Sequence, residues 1–358
     1  MRVLQLIDTL NTGGAERMAV NFANMLSTQI EGSYLCTTRA EGLLKESVLN
    51  EVSCLFLNKK SAIDFRAIKK LNRFIIENKI DVIHAHATSF FLATIMRLLN
   101  PKLIVIWHDH YGNSEFLEQR PRFVLKKCSK FFNHVFTVNK TLEAWDRQNL
   151  LAKKVTFLSN FVSPDRNLAT TKLQGVLGKR IVCLSNLRPQ KDHINLLKAY
   201  EIVVEKHQDW TLHLVGKDFE DDYAMAVKNH IFDHQLDQKV FIYGSCKDVS
   251  QILQSCDLGV LSSKSEGLPL ALLEYGMAGL PVVATNVGDC DKVIASTEEG
   301  VLVAPENHEA LASAMLSLIE NNSLRQQLAE NLKHKIQNDF SGKKAIKSVI
   351  EVYKSYKK

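Results

Sequence analysis

Short apolar runs alternate along the chain with stretches whose apolar residues recur at helical spacing. Val3 to Ile7, interrupted only by Gln5, reads as a buried strand; a polar loop from Asp8 to Gly14 follows. A helix is expected from about Ala15, because Met18, Phe22, Met25 and Leu26 fall on one face. VIHAHA (82–87) and LIVIWHDH (103–110) read as further strands, both ending in histidines. The polar, turn-rich stretch 163–179 interrupts the pattern, which then resumes at Ile181 to Ser185. Strands are expected at Thr211 to Val215, Val240 to Tyr243 and Leu258 to Leu261, the first two closed by Gly216 and Gly244. From Ala310 to Tyr356 the spacing is helical. Strands alternating with helices imply an α/β protein with parallel sheets. The expected organisation is a first domain over 1–162, a linker over 163–179, a second domain over 180–340 and a terminal segment over 341–358.

The densest pattern is LSSKSEGLPLALLEYGMAGLPVVATNVG (261–288), a polar loop, a helix opened by Pro269 and stopped by Gly279, and a buried strand from Pro281 to Ala284. Apolar residues on all sides of the helix predict full burial, which makes an unpaired Glu274 expensive. Glu266 lies in the preceding loop, and the amides of Gly267 and Leu268 are expected to open the helix, where free N–H groups and the helix dipole attract anions. Carboxylates accept hydrogen bonds from sugar and ribose hydroxyls, so the element can hold a nucleotide-sugar. Equally, Glu266 can cap the helix and Glu274 can pair with a lysine or a backbone amide.

Similar alternatives attach to three other places. Arg188 and Lys191 stand at an expected helix start, either to neutralise a diphosphate or as an ordinary surface pair. Gly13 and Gly14 follow a strand and precede a helix, which permits close approach of a diphosphate or simply a tight turn. His86 and His108 fall at strand carboxyl ends, where ligands gather in open α/β sheets, though a strand-end histidine also serves as a hydrogen-bonded structural residue. His108 and His110 share a strand face, yet no cysteine or carboxylate cluster completes a ligand set, and no metal site is assigned.

Composition bounds these readings. The chain has 358 residues, 46% of them hydrophobic and 23% charged, enough for two globular domains. No apolar run reaches the length of a membrane span, and Asp8 interrupts the start too early for a signal peptide, so a cytoplasmic location is expected. The seven cysteines are scattered and never spaced as Cys-x-x-Cys, which suits reduced structural thiols. The net charge is +6; residues 1–165 carry 22 basic and 15 acidic side chains. No recognition helix, zinc finger or aromatic RNA-binding signature accompanies that excess, so an anionic acceptor or lipid surface is expected rather than nucleic acid. Between Glu118 and Glu143 no acidic residue occurs, and Arg122, Lys126 and Lys130 recur every fourth position beside Phe123 and Val124. That stripe is either a solvated helix face or one that rests on an anionic membrane at its inner, cytoplasmic side.

The run Ser265-Glu266-Gly267-Leu268-Pro269, then Leu273-Glu274, then Gly279-Leu280-Pro281-Val282-Val283-Ala284-Thr285 and Gly288 resembles the signature of retaining glycosyltransferases of family 4. The resemblance implies two facing Rossmann-like domains (GT-B) with a deep interdomain cleft. It also implies a donor bound mainly by the second domain, an acceptor by the first, and a last helix that returns to the first. It places Gly13 and Gly14 opposite the donor phosphates, Arg188 and Lys191 on the pyrophosphate, and His108 near the reacting sugar. Catalytic roles then fall to His108 and Glu266, with Glu274, Gly267 and Leu268 completing the donor site. Two positions depart from the family pattern: Asn160-Phe161-Val162-Ser163 replaces Asn-Gly-small-Asp, and Asp192 replaces the glycine after Lys191.

The implied activity is metal-independent and needs no cofactor. A hexose or N-acetylhexosamine passes from a nucleotide-diphosphate sugar, UDP-linked in the first place and GDP-linked as the second choice, to a saccharide or lipid-linked acceptor in surface polysaccharide, capsule or lipopolysaccharide assembly. A nucleotide-sugar epimerase of the same architecture and a catalytically silent binding subunit are the alternatives.

Overall fold

The computed structural model describes every residue except 113, 164–167 and 358, and at 114 and 115 the backbone alone. Part of the expected linker, 164–167, therefore lies outside the described residues. The chain divides into two compact units, Met1–Ser163 with Gly342–Lys358, and Pro164–Ser341.

Unit 1 contains β1 (Arg2–Thr9), α1 (Gly14–Ser27), β2 (Gly32–Ala40), β3 (Ser53–Phe56), α2 (Phe65–Glu77), β4 (Val82–His86), α3 (Phe90–Leu99), β5 (Ile104–Asp109), α4 (Phe123–Ser129), β6 (His134–Thr137), α5 (Lys140–Asn149) and β7 (Val155–Phe157). The strands form a parallel sheet in the order β3-β2-β1-β4-β5-β6-β7. Every residue of β4, β5 and β6 is buried, which is why these strands read as continuous runs without alternation: helices cover both faces of the sheet.

Unit 2 contains β8 (Arg180–Leu184), α6 (His193–Lys206), β9 (Thr211–Val215), α7 (Asp222–Asp233), β10 (Val240–Gly244), α8 (Val249–Gln254), β11 (Leu258–Leu261), α9 (Leu270–Ala278), β12 (Val282–Thr285), α10 (Cys290–Val293), β13 (Val301–Val303), α11 (His308–Glu320) and α12 (Asn322–Asp339). Its sheet is also parallel, in the order β10-β9-β8-β11-β12-β13. The last helix, α13 (Gly342–Tyr356), belongs to unit 1. It packs on α1 closely enough that a Cβ on Gly342 would stand 2.6 Å from Met25 Sδ, and its buried Tyr353 hydroxyl shares a 2.6 Å hydrogen bond with His84 Nδ1.

Two expected helices differ from their sequence readings. Pro269 caps α9 in extended conformation (ψ 118°), so the helix starts at Leu270 and stops at the left-handed Gly279. Nor is α9 buried all round. Leu272, Leu273, Tyr275 and Gly276 are enclosed, but Ala271, Glu274, Met277 and Ala278 form a half-exposed stripe. Small and flexible apolar residues on that stripe tolerate partial solvation, which hydrophobic patterning alone does not reveal. The basic stretch forms α4, a helix of seven residues with Arg122 and Lys130 at its two caps, so the expected stripe spans the whole element. Arg122, Lys126 and Lys130 are all exposed. Arg120, by contrast, leaves this basic surface and is 9% exposed.

The helix that carries Glu274 is held against α12 at Gly276. A Cβ there would stand 2.5 Å from Ile336 Cγ1 and 2.9 Å from Leu332 Cγ, neither of which is a flexible chain end. Gly276→Ala should therefore lower the stability of unit 2 by roughly 1–3 kcal/mol through overpacking, read from urea unfolding. A variant as stable as the parent would show that α9 and α12 separate freely.

Candidate active site

In unit 2 the chain winds outward from β8 to β10 on one side of the sheet and then from β11 to β13 on the other, so the order reverses between β8 and β11. Loops leaving the carboxyl ends of such a pair diverge and open a ligand crevice. The β8–α6 loop and the β11–α9 loop are joined there. Lys264 N donates to Gln190 O at 2.8 Å, and Ser262 Oγ donates to Lys191 O at 2.9 Å. Lys191 Nζ lies 2.5 Å from Glu266 Oε1, and Ser263 Oγ donates to the same oxygen at 2.6 Å. Glu266 is 5% exposed, so these two donors replace most of the hydration its charge requires.

The β12–α10 loop supports the pair from below. Asp289 N donates to Gly267 O at 2.8 Å, and Thr285 Oγ1 donates to Ser263 O at 2.6 Å. Gly288, at φ 56°, presses against the carbonyls of Glu266 and Gly267, leaving no room for a Cβ. Gly267 and Leu268 precede α9 by three and two residues, so the free amides of the helix start are those of Leu270 to Leu272 instead. Leu268 is buried, and Glu274 lies on the half-exposed stripe of α9.

Arg188 is exposed and its guanidinium lies 4.6 Å from the centre of the Phe219 ring. Lys217 Nζ lies 4.8 Å from the same ring, so two cations share one aromatic ring beyond β8 and β9. Sequence reading missed Lys217 and Phe219; the signal was a strand followed by Gly216-Lys217. Asp192, which replaces the family glycine, adopts the left-handed conformation that glycine favours (φ 51°, ψ 50°). An aspartate tolerates this region, so the backbone shape survives the departure. Burial raises the Asp192 carboxyl pKa, and Lys264 Nζ stands 3.5 Å away, with Glu306 Oε1 2.9 Å from the same ammonium.

In unit 1 the order reverses between β1 and β4. Gly13 and Gly14 leave β1 here, but an added Cβ on Gly13 would overlap the Glu16 carboxylate, so a negative group already occupies the start of α1. Asp8, given no site role from the sequence, accepts from Thr88 Oγ1 at 2.6 Å and from Thr38 Oγ1 at this reversal.

His84, His86 and His108 are fully buried in the sheet. His108 is packed by Phe22, His84, His110 and Phe136 at ring distances of 5.7, 5.3, 4.1 and 5.8 Å. The contact with a sugar expected of His108 is therefore not available in this conformation, because the ring is sealed by its neighbours. Among the described residues neither of its nitrogens has a hydrogen-bond partner. His110, half-exposed just past the strand end, is the imidazole nearer the surface, with Nε2 3.0 Å from His86 Nδ1. His86 Nε2 reaches Gln5 Oε1 at 2.8 Å.

The nitrogens of His84, His86 and His108 lie within 4.8 Å of one another. The His84 ring is inclined by only 9° to His108 and 23° to His86, so neighbouring lone pairs run side by side rather than converge, which suits a stack better than a metal cage. Asp109 is likewise committed within the fold. It receives two hydrogen bonds from Arg120, at 2.6 and 2.8 Å, and that guanidinium lies between Tyr111 and Trp145.

Two doubly wound sheets, each with polar loops gathered at its reversal point, define the GT-B class of fold. Residues 12–166 match glycosyltransferase family 4 and residues 176–335 match the glycosyl transferases group 1, and the chain belongs to these glycosyltransferases. It is 26% identical to an uncharacterized glycosyltransferase of Haemophilus influenzae over 96% of each chain. It is 21% identical to the UDP-Gal:alpha-D-GlcNAc-diphosphoundecaprenol alpha-1,3-galactosyltransferase of Escherichia coli, over 98% of this chain and 95% of that one. Its fold superposes on that of Anabaena Alr3699/HepE in complex with UDP and glucose with a TM-score of 0.81, at 19% identity over 99% of each chain.

Burial holds His84, His86 and His108 well below the ordinary imidazole pKa and brings His110 to about 3, so all four are neutral when folded near neutrality. Unfolding frees them to take protons below about pH 6.5, so each should remove about 1.4 kcal/mol of stability per pH unit below that value, down to its folded pKa. Asp146, raised to about 9 mainly by burial, acts in the opposite direction, while burial also lowers His134 and His213 to about 4 and His193 to about 3, which adds to the histidine effect. The urea midpoint should therefore fall from pH 7 to pH 5.5, followed by fluorescence of Trp107 and Trp145. A midpoint independent of pH would mean that the histidines are charged in the folded protein.

Lys191→Met should destabilise unit 2 by roughly 1–3 kcal/mol, because it strands the enclosed Glu266 carboxylate. Adding Glu266→Gln to the same chain should recover most of the loss. Equal instability of the single and double variants would show the pair to be uncoupled.

Proposed function

We propose that the chain is a metal-independent, retaining glycosyltransferase that moves a hexose or N-acetylhexosamine from a UDP-sugar to a saccharide on a lipid carrier, in surface polysaccharide assembly. The observation that carries this reading is the Lys191–Glu266 pair at the reversal of the unit 2 sheet, with Arg188 and Lys217 beside it. Arg188, Lys217 and Lys191 take the diphosphate, and their charge stabilises it as it departs, the role a metal ion fills in other transferases. Glu266 and Glu274 accept hydrogen bonds from sugar and ribose hydroxyls.

In the transfer step the acceptor oxygen forms a bond to the anomeric carbon on the face from which the diphosphate leaves. As the carbon–oxygen bond to phosphate breaks, the acceptor proton passes to the departing phosphate oxygen. Configuration is then retained without a protein nucleophile. His108 acts beneath the surface, fixing His110 through ring packing, and touches no substrate.

The choice of a uridine donor and a lipid-borne acceptor draws on the names of relatives: the E. coli enzyme uses UDP-Gal and a diphosphoundecaprenol-linked sugar, and the Anabaena structure holds UDP and glucose. Among the described residues no helix is long and apolar enough to cross a membrane. Work on a lipid-borne acceptor then calls for peripheral attachment at the cytoplasmic face, for which the exposed Arg122, Lys126 and Lys130 supply charge.

A thermal-shift panel of UDP-, GDP-, ADP- and CMP-sugars should give the largest shift with a UDP-sugar, since a ligand of the folded state stabilises in proportion to its affinity. Glu274→Ala should weaken that donor by roughly 1–3 kcal/mol while remaining folded, and turnover should persist in EDTA. Parent-like affinity in the folded variant removes Glu274 from the site, and conversion of donor without acceptor would identify an epimerase.

A further inference from the structure

The amino ends of β6 and β7 carry a second feature, at the edge of unit 1 opposite the strand ends that hold His110. Asn133 immediately precedes β6, Lys154 immediately precedes β7, and Lys154 O accepts from Val135 N at 2.9 Å. Around this junction lies a cavity of about 300 Å³ whose lining includes Arg97, Lys130, Lys153, Lys154 and Tyr356 and, among the described residues, no carboxylate. Two of the four cations have an internal reason for their place. Arg97 Nη1 donates to the carbonyls of Pro101 and Leu103 at 2.5 Å each, and Lys130 caps α4, where a cation complements the helix dipole. Lys153 and Lys154 have no helix end to complement. Both are exposed, and Lys154 Nζ lies 5.4 Å from the centre of the Tyr356 ring, whose hydroxyl is 3.3 Å from His134 Nδ1.

Four like charges around one concave space repel each other, and a multiply charged anion relieves that repulsion. The neighbouring chain segments indicate where the anion comes from. Leu98 and Leu99 follow Arg97, and Leu151 precedes Lys153 by two residues, each at least half exposed; Phe123 and Val124 on α4, the helix that Lys130 caps, are 71% and 50% exposed. Apolar side chains interleaved with cations suit a lipid–water boundary.

We propose that this pocket binds a phosphate group, carried by the headgroup of an anionic lipid. The attachment described above relies on general surface charge; this is a shaped site, and it stands independently of glycosyl transfer.

The test is co-sedimentation with vesicles of phosphatidylcholine and phosphatidylglycerol in equal parts, and with phosphatidylcholine alone. The parent should bind the anionic vesicles. Two lysines at a diffusely charged surface provide about 30-fold in partitioning; Lys153→Ala with Lys154→Ala should lose clearly more than that, whereas Arg122→Ala with Lys126→Ala should lose no more than that. Equal losses from the two pairs would overturn the pocket in favour of diffuse charge. Absence of vesicle binding, with pyrophosphate binding abolished by Lys153→Ala and Lys154→Ala, would overturn the lipid source and leave a soluble phosphate. Absence of both would overturn the site. Circular dichroism and the donor-induced thermal shift, measured on the same variants, keep this outcome separate from failure of the transferase reading.

Discussion

Glu266 is a carboxylate held where water scarcely reaches, and most of the architecture at the carboxyl edge of unit 2 follows from satisfying it. An isolated charge there would be neutralised or expelled. Lys191 and Ser263 meet on one of its oxygens, and because Lys191 comes from the β8 loop and Ser263 from the β11 loop, the bond ties together the two loops that the sheet order drives apart. Gly288 is the geometric complement of that tie: its missing side chain lets the β12 loop reach the carbonyls of Glu266 and Gly267. A ligand entering the crevice therefore meets a carboxylate already oriented, with one oxygen engaged by the protein.

Unit 1 carries uncharged groups beside its own reversal point. A histidine stack in its sheet is held neutral by burial, and the Asp109–Arg120 ion pair holds the segment after β5 in place. The contrast has a chemical consequence. An anion stabilised by fixed positive charge is favoured at the unit 2 edge, whereas Glu16 over Gly13 and Asp8 beside Thr88 give the unit 1 edge hydrogen-bond acceptors suited to hydroxyl groups.

The central strands were legible in the sequence because burial on both faces makes them largely apolar runs; Thr211 to Val215 and Leu258 to Leu261 were read to the residue, whereas β2, β3, β6, β7 and β13 were not read. Gly279 was legible as a helix stop because the left-handed conformation it adopts has a local chemical cause. What escaped was whatever depends on the third dimension. The outer stripe of α9 is set by where α12 ends its contact, and Arg120 counts as surface charge until Asp109 is seen to bury it. His108 stands at a strand end in the sequence, but its exposure is decided by Phe22 on α1 and Phe136 on β6. Lys217 carries no motif of its own and acquires meaning only from the Phe219 ring it shares with Arg188.

Charge around the unit 2 crevice is less generous than a count of lysines suggests. Lys264 is held between Asp192 and Glu306, and Lys191 is engaged by Glu266. Asp192 contributes to this twice: in place of glycine it keeps the left-handed turn that starts α6, at a conformational cost of about 1–2 kcal/mol, and it places a carboxylate next to the proposed diphosphate site. With Lys264 thus compensated, the positive potential is concentrated on the side of Arg188 and Lys217, which rest on an aromatic face instead of a carboxylate. Cation–π contact leaves more of the charge available to a second partner than an ion pair does, so Lys191 adds less than Arg188 and Lys217. A diphosphate in this crevice is therefore drawn toward the β8–β9 side, which leaves the space over Glu266, between β8 and β11, for the sugar.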